Sequence, residues 1–426
     1  MSNLYNEAHR SLQDEFGTRR MADRIEQLAC NAVVRTRHSM RAQTVAVLSA
    51  ILLVVGCSPS HAQQLSTPTL KQDGIATGTL EEVGMDEAVL TDLVDDIRKG
   101  VYPNRHSLII YKNHKLVLEQ YFDGADEIWD PAKGPDIGVG IVHHGETVLH
   151  DVRSVSKSVV SACVGIALAQ GLIKNVDQPV FDFFDEYQQY NNGGREKLTI
   201  KHLLTMTSGL DWNEKVSYLD PANSETLMDY NKDPWGFVLS RRLVTEPGTS
   251  WDYNGGCSEI LAAIVQKASG KNIHEFAREY LFKPLGIERS EWNKFLHFDA
   301  PMGASGLRLT ARDMLKFGIL YQDEGRWGGQ QILRMEWVRD SFAPAISRPG
   351  GGAYGYLFWL FDFSVNGAGM RSPAAVGNGD QCIFFDRKND LVMVSTAGHY
   401  DKDVGKNSAL IRNRIYQAFR FEPTGE

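Results

Sequence analysis

Residues 159–173 place the tightest constraint on what this chain can fold into. Val159, Val160, Ala162, Cys163, Ile166, Ala167, Leu168 and Leu172 leave this predicted helix almost no polar face, and a helix that is apolar nearly all round is buried in a core. The stretch before it, Asp151-Val152-Arg153-Ser154-Val155-Ser156-Lys157-Ser158, reads as a turn feeding the helix. Ser154 and Lys157 stand three residues apart, so their side chains share one face and can touch. A serine hydroxyl is a poor nucleophile until a base within hydrogen-bond reach takes its proton. Lysine can be that base where burial and a helix N-terminus lower its pKa. The four residues alone also fit a plain helix start with an exposed lysine; the apolar run behind them favours a buried lysine with a task.

The remainder is ordinary globular sequence. With 426 residues, 42% of them hydrophobic and 23% charged, the chain can bury a large core. Its net charge of −8 shows no basic stripe, which argues against nucleic acid as a partner. Cys30, Cys57, Cys163, Cys257 and Cys382 follow no metal-ligand or disulfide spacing. His143-His144-Gly145-Glu146 lacks a helical i, i+4 pair, so neither a metal site nor a cofactor is expected from spacing.

The amino-terminal region carries an address. Arg35, Arg37 and Arg41 precede the apolar segment 44–56, which is short for a membrane span and suited to a signal-peptide core. Val54-Val55-Gly56-Cys57 reads as a lipobox with Cys57 as the lipidation candidate, and cleavage after Ala62 is the alternative. Either places the mature protein outside the cytoplasm, periplasmic or anchored to a bacterial membrane. Because Met40 opens a conventional leader, residues 1–39 read as a spurious or disordered extension, 40–62 as signal peptide and 63–82 as a linker. Within that linker Gln63 to Gly78 is expected to lack fixed structure. The globular domain then spans 83–426.

Along it, Asp86 caps a predicted helix ending before Gly100, and Ser107–Tyr111 with Leu116–Tyr121 reads as a hairpin. Ile137–Val142 and Thr147–Val152 are weaker strand candidates. Helices are predicted from Thr199 towards Gly209, from Cys257 to Ser269, and from Thr310 onward. His202 reads as a packed or solvated helix residue. Strands return at Tyr354–Phe363, Gln381–Phe385 and Leu391–Thr396, and a closing helix covers Val404–Phe419. Strands at both chain ends with helices between them predict an α+β fold: one antiparallel sheet built from both termini, with a mostly helical lobe inserted at roughly 175–300 and the site between them.

With these pieces in order the chain resembles the serine β-lactamase and penicillin-binding superfamily, near class C β-lactamases, family VIII esterases and 6-aminohexanoate-dimer hydrolases. The resemblance covers about Val83 to Phe419. It rests on Ser154-Val155-Ser156-Lys157, on 203–209, on Glu246-Pro247-Gly248-Thr249 leading to Tyr253, on Pro284-Leu285-Gly286, and on 306–313. It implies a serine hydrolase needing no metal that forms a covalent acyl-enzyme on Ser154, with Lys157 and Tyr253 moving protons. Two positions depart from the family pattern. The third place of the Y-x-N motif is Gly255, so the usual amide is absent unless Asn254 or another residue substitutes. The family's K-T-G strand has no lysine match; the region reads Ala375-Val376-Gly377-Asn378-Gly379-Asp380-Gln381. The resemblance implies an oxyanion hole made by the N–H of Ser154 and of this strand near Asp380 or Gln381. A small carboxylic ester or linear amide is the substrate expected; a β-lactamase, a D-Ala-D-Ala peptidase or a penicillin-binding sensor without turnover is the alternative. The oligomeric state is not legible.

Overall fold

The computed structural model describes residues 65–130, 134–365, 367–401 and 405–420. The leader, Cys57 and the upstream extension lie outside the described residues. The linker reading needs correction at its distal end. Ile75 is buried, and Leu116 N donates to Ala76 O while Gly78 N donates to Leu116 O, so the chain here pairs with an otherwise open strand edge instead of hanging free.

Asp86 caps α1 (Glu87–Arg98), accepting from the N–H groups of Ala88 and Val89. β1 (Arg105–Lys112) and β2 (Lys115–Tyr121) make the anticipated hairpin. Asn113 and His114, both at positive φ, form its two-residue turn, as a mirror-image hairpin turn requires. A second hairpin joins β3 (Asp123–Asp130) to β4 (Gly134–His143), which contains the strand candidate Ile137–Val142; β3 itself was not legible. Its first strand reads Asp-Gly-Ala-Asp-Glu-Ile-Trp-Asp, a composition of low β-propensity. The strand expected at 147–152 is only β5 (His150–Asp151).

The central helix α2 (Val155–Ala169) is buried without a break from Val155 to Ala167. It ends short of residue 173 because Gly171 adopts φ 75° and turns the chain away. α3 (Ile200–Leu204), capped by Thr199, also ends early, at a backbone that reaches positive φ at Met206. His202 completes that cap, its ring nitrogen accepting from Thr199 N. α4 (Ser224–Asp229) and α5 (Pro234–Leu239) precede the second long helix α6 (Gly255–Ser269), which Gly270 stops at φ 73°. α7 (Ile273–Ala277) follows. Short strand β7 (Leu307–Leu309) pairs with β5 on one side and with β6 (Glu291–Trp292) on the other, and Thr310 caps α8 (Ala311–Gln322). After the small hairpin β8 (Arg326–Trp327) and β9 (Gln330–Gln331) come α9 (Met335–Phe342), β10 (Ile346–Ser347), β11 (Ala353–Tyr354), β12 (Trp359–Val365), β13 (Ala368–Gly377), β14 (Gln381–Asp386), β15 (Leu391–Ala397) and α10 (Lys406–Gln417).

One eight-stranded antiparallel sheet runs β10-β11-β12-β13-β14-β15-β1-β2. The carboxy-terminal β15 lies against the amino-terminal β1, so the sheet is assembled from both chain ends as expected. Alternation along β1 serves two cores. Ile109 and Tyr111 pack towards α2, α6 and α8, whereas Leu108 and Ile110 pack towards α1 and α10. Sandwiched between the sheet and α6, α2 presents its first turn as one wall of a cleft. Among the described residues no helix is long and apolar enough to cross a membrane.

Candidate active site

The turn that delivers Ser154 is held open by its neighbours. Arg153 adopts φ 48°, an uncommon conformation for a side chain with a Cβ. The Asp151 carboxylate fixes it, accepting from Arg153 N at 3.0 Å and Trp129 N at 2.9 Å. Ser154 stands at the N-cap of α2 without making the usual capping bond, which leaves its hydroxyl to other partners. The principal one is Lys157.

Lys157 is 1% exposed and its ammonium donates to three acceptors: Ser154 Oγ at 3.0 Å, Ala304 O at 2.8 Å and Glu225 Oε2 at 3.2 Å. Burial works against the charge, but the carboxylate of Glu225, with Tyr253 and Glu214 behind it, outweighs burial and holds Lys157 above the usual lysine range. This corrects the simplest expectation, a lysine made neutral by burial, because the Glu225 carboxylate faces it. The Nζ atom also lies 5.1 Å from the Tyr253 ring centroid. Burial pushes the Tyr253 phenol up to about 12, against the pull of the Lys157 ammonium and the Ser154 hydroxyl. The resting site therefore holds an ammonium, a phenol and a hydroxyl.

Behind them is a pair of buried acids. Asn223 caps α4 and sets Glu225 in its first turn. Glu214 accepts from Gly255 N, Trp212 Nε1 and Tyr218 OH, and hydrogen-bonds to Glu225. Burial, reinforced by the Glu225 charge, raises the Glu214 carboxyl to about 8. At neutral pH Glu214 carries the proton between the two acids, and Glu225 Oε2 is the oxygen that faces the Lys157 ammonium.

Across the cleft Gly377 ends β13. A Cβ there would lie 2.4 Å from Val152 O and 3.1 Å from Ser154 N, so only glycine lets this strand run directly against the N–H of Ser154. Asn378 lines the cleft together with Trp129, Arg153, Ser154, Tyr218, Glu225 and Ser305. Its amide is tied down, Nδ2 donating to Asp401 Oδ1 and Oδ1 accepting from Gly379 N and Asp401 N. Asp380 and Gln381 do not meet Ser154. Asp380 is fully buried in an ion pair with Arg105 and accepts from Gly405 N and Ser408 N, while Gln381 is bonded to Ala397 on β15. The strand's approach to Ser154 is thus at 377–378. Asn254 is likewise engaged elsewhere: it is buried and caps α6 through Cys257 N. A larger cavity of about 460 Å³, walled by Trp359, Phe361, Phe384 and Arg412, does not include Ser154.

A family model described as Beta-lactamase matches residues 91–413. The chain belongs to the beta-lactamase family. Its large antiparallel sheet with flanking helices is the beta-lactamase-like fold, that of a serine hydrolase family. A 6-aminohexanoate-dimer hydrolase of Paenarthrobacter ureafaciens is 25% identical over 276 residues, 60% of this chain and 67% of that protein. Esterase EstB of Burkholderia gladioli is 29% identical over 150 residues, 33% of this chain and 38% of the esterase. Among solved structures, a family VIII carboxylesterase superposes with a TM-score of 0.58 at 15% identity, covering 78% of this chain and 96% of its own.

One departure from the family pattern has a physical reason in this fold. A Cβ on Gly255, the third place of Y-x-N, would lie 1.9 Å from Glu225 Oε2. The volume that an amide side chain would need is filled by a carboxylate brought from α4. Glu225 and Glu214 escaped the sequence reading because both lie in a loop-rich stretch with no periodic pattern. The one available signal was the missing side chain at Gly255, which left room for another group.

Proposed function

We propose that this beta-lactamase family member hydrolyses a small carboxylic ester or a linear amide through an acyl-enzyme on Ser154. The observation that carries the reading is the buried Lys157 ammonium, 3.0 Å from Ser154 Oγ on one side and 3.2 Å from the Glu225 carboxylate on the other. As Oγ bonds to the substrate carbonyl carbon, its proton passes to Lys157 Nζ while Lys157 gives one to Glu225, so the lysine remains charged throughout. The carbonyl oxygen becomes an oxyanion beside Ser154 N and the backbone at 377–378. When the carbonyl carbon releases its leaving group, the Tyr253 phenol protonates the departing atom and is itself reprotonated from Glu225 through Lys157. Water then attacks the acyl carbon, its proton leaves by the same route, and Oγ recovers a proton from Lys157. β13 carries no lysine to attract the carboxylate of a β-lactam, which favours esters and open amides.

The test is a substrate panel: a p-nitrophenyl ester, nitrocefin and a linear amide dimer assayed under the same conditions. Turnover of the ester or the amide is expected to exceed that of nitrocefin. Nitrocefin as the best substrate would overturn the substrate assignment, and a single labelling event without turnover would point to a sensor.

The role given to Tyr253 makes a separate prediction. A p-nitrophenolate leaves without protonation, whereas an alkoxide or amine needs a proton. Tyr253→Phe is therefore expected to slow an alkyl ester about 100-fold or more, the usual scale of lost acid catalysis, while slowing the p-nitrophenyl ester much less. Equal losses on both esters, measured as kcat/KM, would remove the phenol from the leaving-group step.

A further inference from the structure

Three histidines and an aspartate converge beside the strand that feeds the nucleophile, outside the reaction just described. His106, Asp126, His144 and His150 each direct one ligand atom into a volume in which all four lie within 4.8 Å of one another. They arrive from separate elements. His106 sits at the irregularity in β1 where pairing with β15 slips between Arg105 and Ser107, and such bulges re-aim a side chain. Asp126 is in β3, His144 directly follows β4, and His150 is in β5. Spacing along the chain, from which no metal centre was expected, carries no trace of this convergence.

The outer hydrogen bonds fix which nitrogen faces inward. His150 Nδ1 donates to Asp151 O at 2.9 Å, leaving the Nε2 lone pair inside. His106 Nε2 donates to Ala125 O at 3.1 Å, leaving the Nδ1 lone pair inside. These inward atoms are 2.8 Å apart, so without a cation or proton between them two lone pairs repel. Ligating histidines are typically held in this way by a backbone carbonyl on their other nitrogen. His144 supplies an independent sign. Its side chain is 4% exposed, yet Nε2 is a buried atom without a hydrogen-bond partner among the described residues, 4.0 Å from Asp126 Oδ2. Space has been left for the cluster as well: a Cβ on Gly124 would strike the His106 ring at 2.6 Å, and one on Gly398 would approach it to 2.9 Å.

We propose that His106, Asp126, His144 and His150 form a closed, four-ligand site for a tetrahedral divalent cation, zinc in the first instance, which fastens the β3–β4 hairpin to the strand leading into Ser154. Ligand bonds of about 2.0–2.1 Å in a tetrahedron set ligand atoms about 3.3 Å apart. The observed separations of 2.8, 3.7 and 4.0 Å bracket that value. Binding draws His144 from its stacked position over His106, where the ring centroids are 3.8 Å apart. Imidazole and carboxylate donors suit zinc, and four protein ligands leave no open position, as in a structural rather than a catalytic site. The cation would act through position: Asp151, whose carbonyl holds His150, also braces the backbone of Arg153 through its carboxylate.

The test uses the purified chain treated with a chelator, reloaded with zinc, dialysed and assayed for metal by inductively coupled plasma mass spectrometry. Wild type and Ser154→Ala are expected to retain about one equivalent, and His144→Ala to fall below about a tenth of that. Cobalt added to the chelated wild type is expected to give the intense visible bands of a tetrahedral centre, a readout that does not depend on the variant folding. Failure of wild type to retain zinc overturns the proposal and leaves a proton shared between His106 and His150. Equal zinc in wild type and His144→Ala, or an octahedral cobalt spectrum, overturns it too.

Discussion

Ser154→Ala is expected to lower kcat/KM for a p-nitrophenyl ester by about 1,000-fold or more, the scale seen when a nucleophile that works as part of a unit is removed. The other two hydroxyls of its turn cannot replace it. Its neighbour Ser156 donates to Arg153 O at 2.6 Å and Ser158 donates to Leu357 O at 2.7 Å, so both hydroxyls are committed to the backbone. The fold should be unaffected, because Ser154 makes no capping bond that alanine would forfeit. Thermal unfolding within a few degrees of wild type, alongside lost turnover, is the expected pair of results from calorimetry and steady-state kinetics. A variant that keeps its activity would place the chemistry elsewhere.

Lys157→Met is expected to damage both catalysis and stability. Methionine fills much of the same apolar volume but leaves Glu225 buried without its counter-ion, and stranding one partner of a buried pair costs about 3–5 kcal/mol. Ester turnover should fall about 1,000-fold, within the range for a lost proton-transfer group. The stability deficit should depend on pH with a definite sign. Without the ammonium, Glu214 loses the pull that opposes burial and the neighbouring acid, so its folded-state pKa rises further above its unfolded value. A group raised in this way favours folding below its unfolded pKa and loses that contribution as pH rises through the folded one. The deficit relative to wild type should therefore be smallest near pH 5 and grow towards pH 8, read from urea midpoints across that range. A deficit independent of pH would mean that the lysine is no more than packing.

The parts of this molecule that announce themselves in sequence are those with local causes. Asp86, Thr199 and Thr310 cap their helices, and Gly100 and Gly270 lie past the ends of theirs, because those residue types meet the needs of helix termini directly. The unbroken burial of α2 followed from its lack of a polar face. The pairing of β1 with β15 followed from strand-like runs at both chain ends. What stayed hidden depends on distant residues meeting. β3 carries four carboxylates, of which Asp126 enters a cluster drawn from three other segments, so its composition disguises a strand. Glu225 reaches Lys157 across 68 positions, into room left by Gly255. A lysine read alone looks like a base made neutral by burial, but with its carboxylate in view it is a buried ammonium paired with Glu225. The strand approaches Ser154 at 377–378 and not at 380–381, because the chain turns through positive φ at Gly379 and Asp380 and carries the later residues into the sheet.

The central claim, a covalent acyl transfer on Ser154, is tested most directly by finding the atom that reacts. A fluorophosphonate forms a bond from its phosphorus to the nucleophilic oxygen and loses fluoride, so intact mass followed by peptide mapping identifies the residue. One adduct per chain is expected, on the peptide carrying Ser154, with none in Ser154→Ala. An adduct on any other residue, or full ester turnover by a protein already labelled at Ser154, would contradict the account.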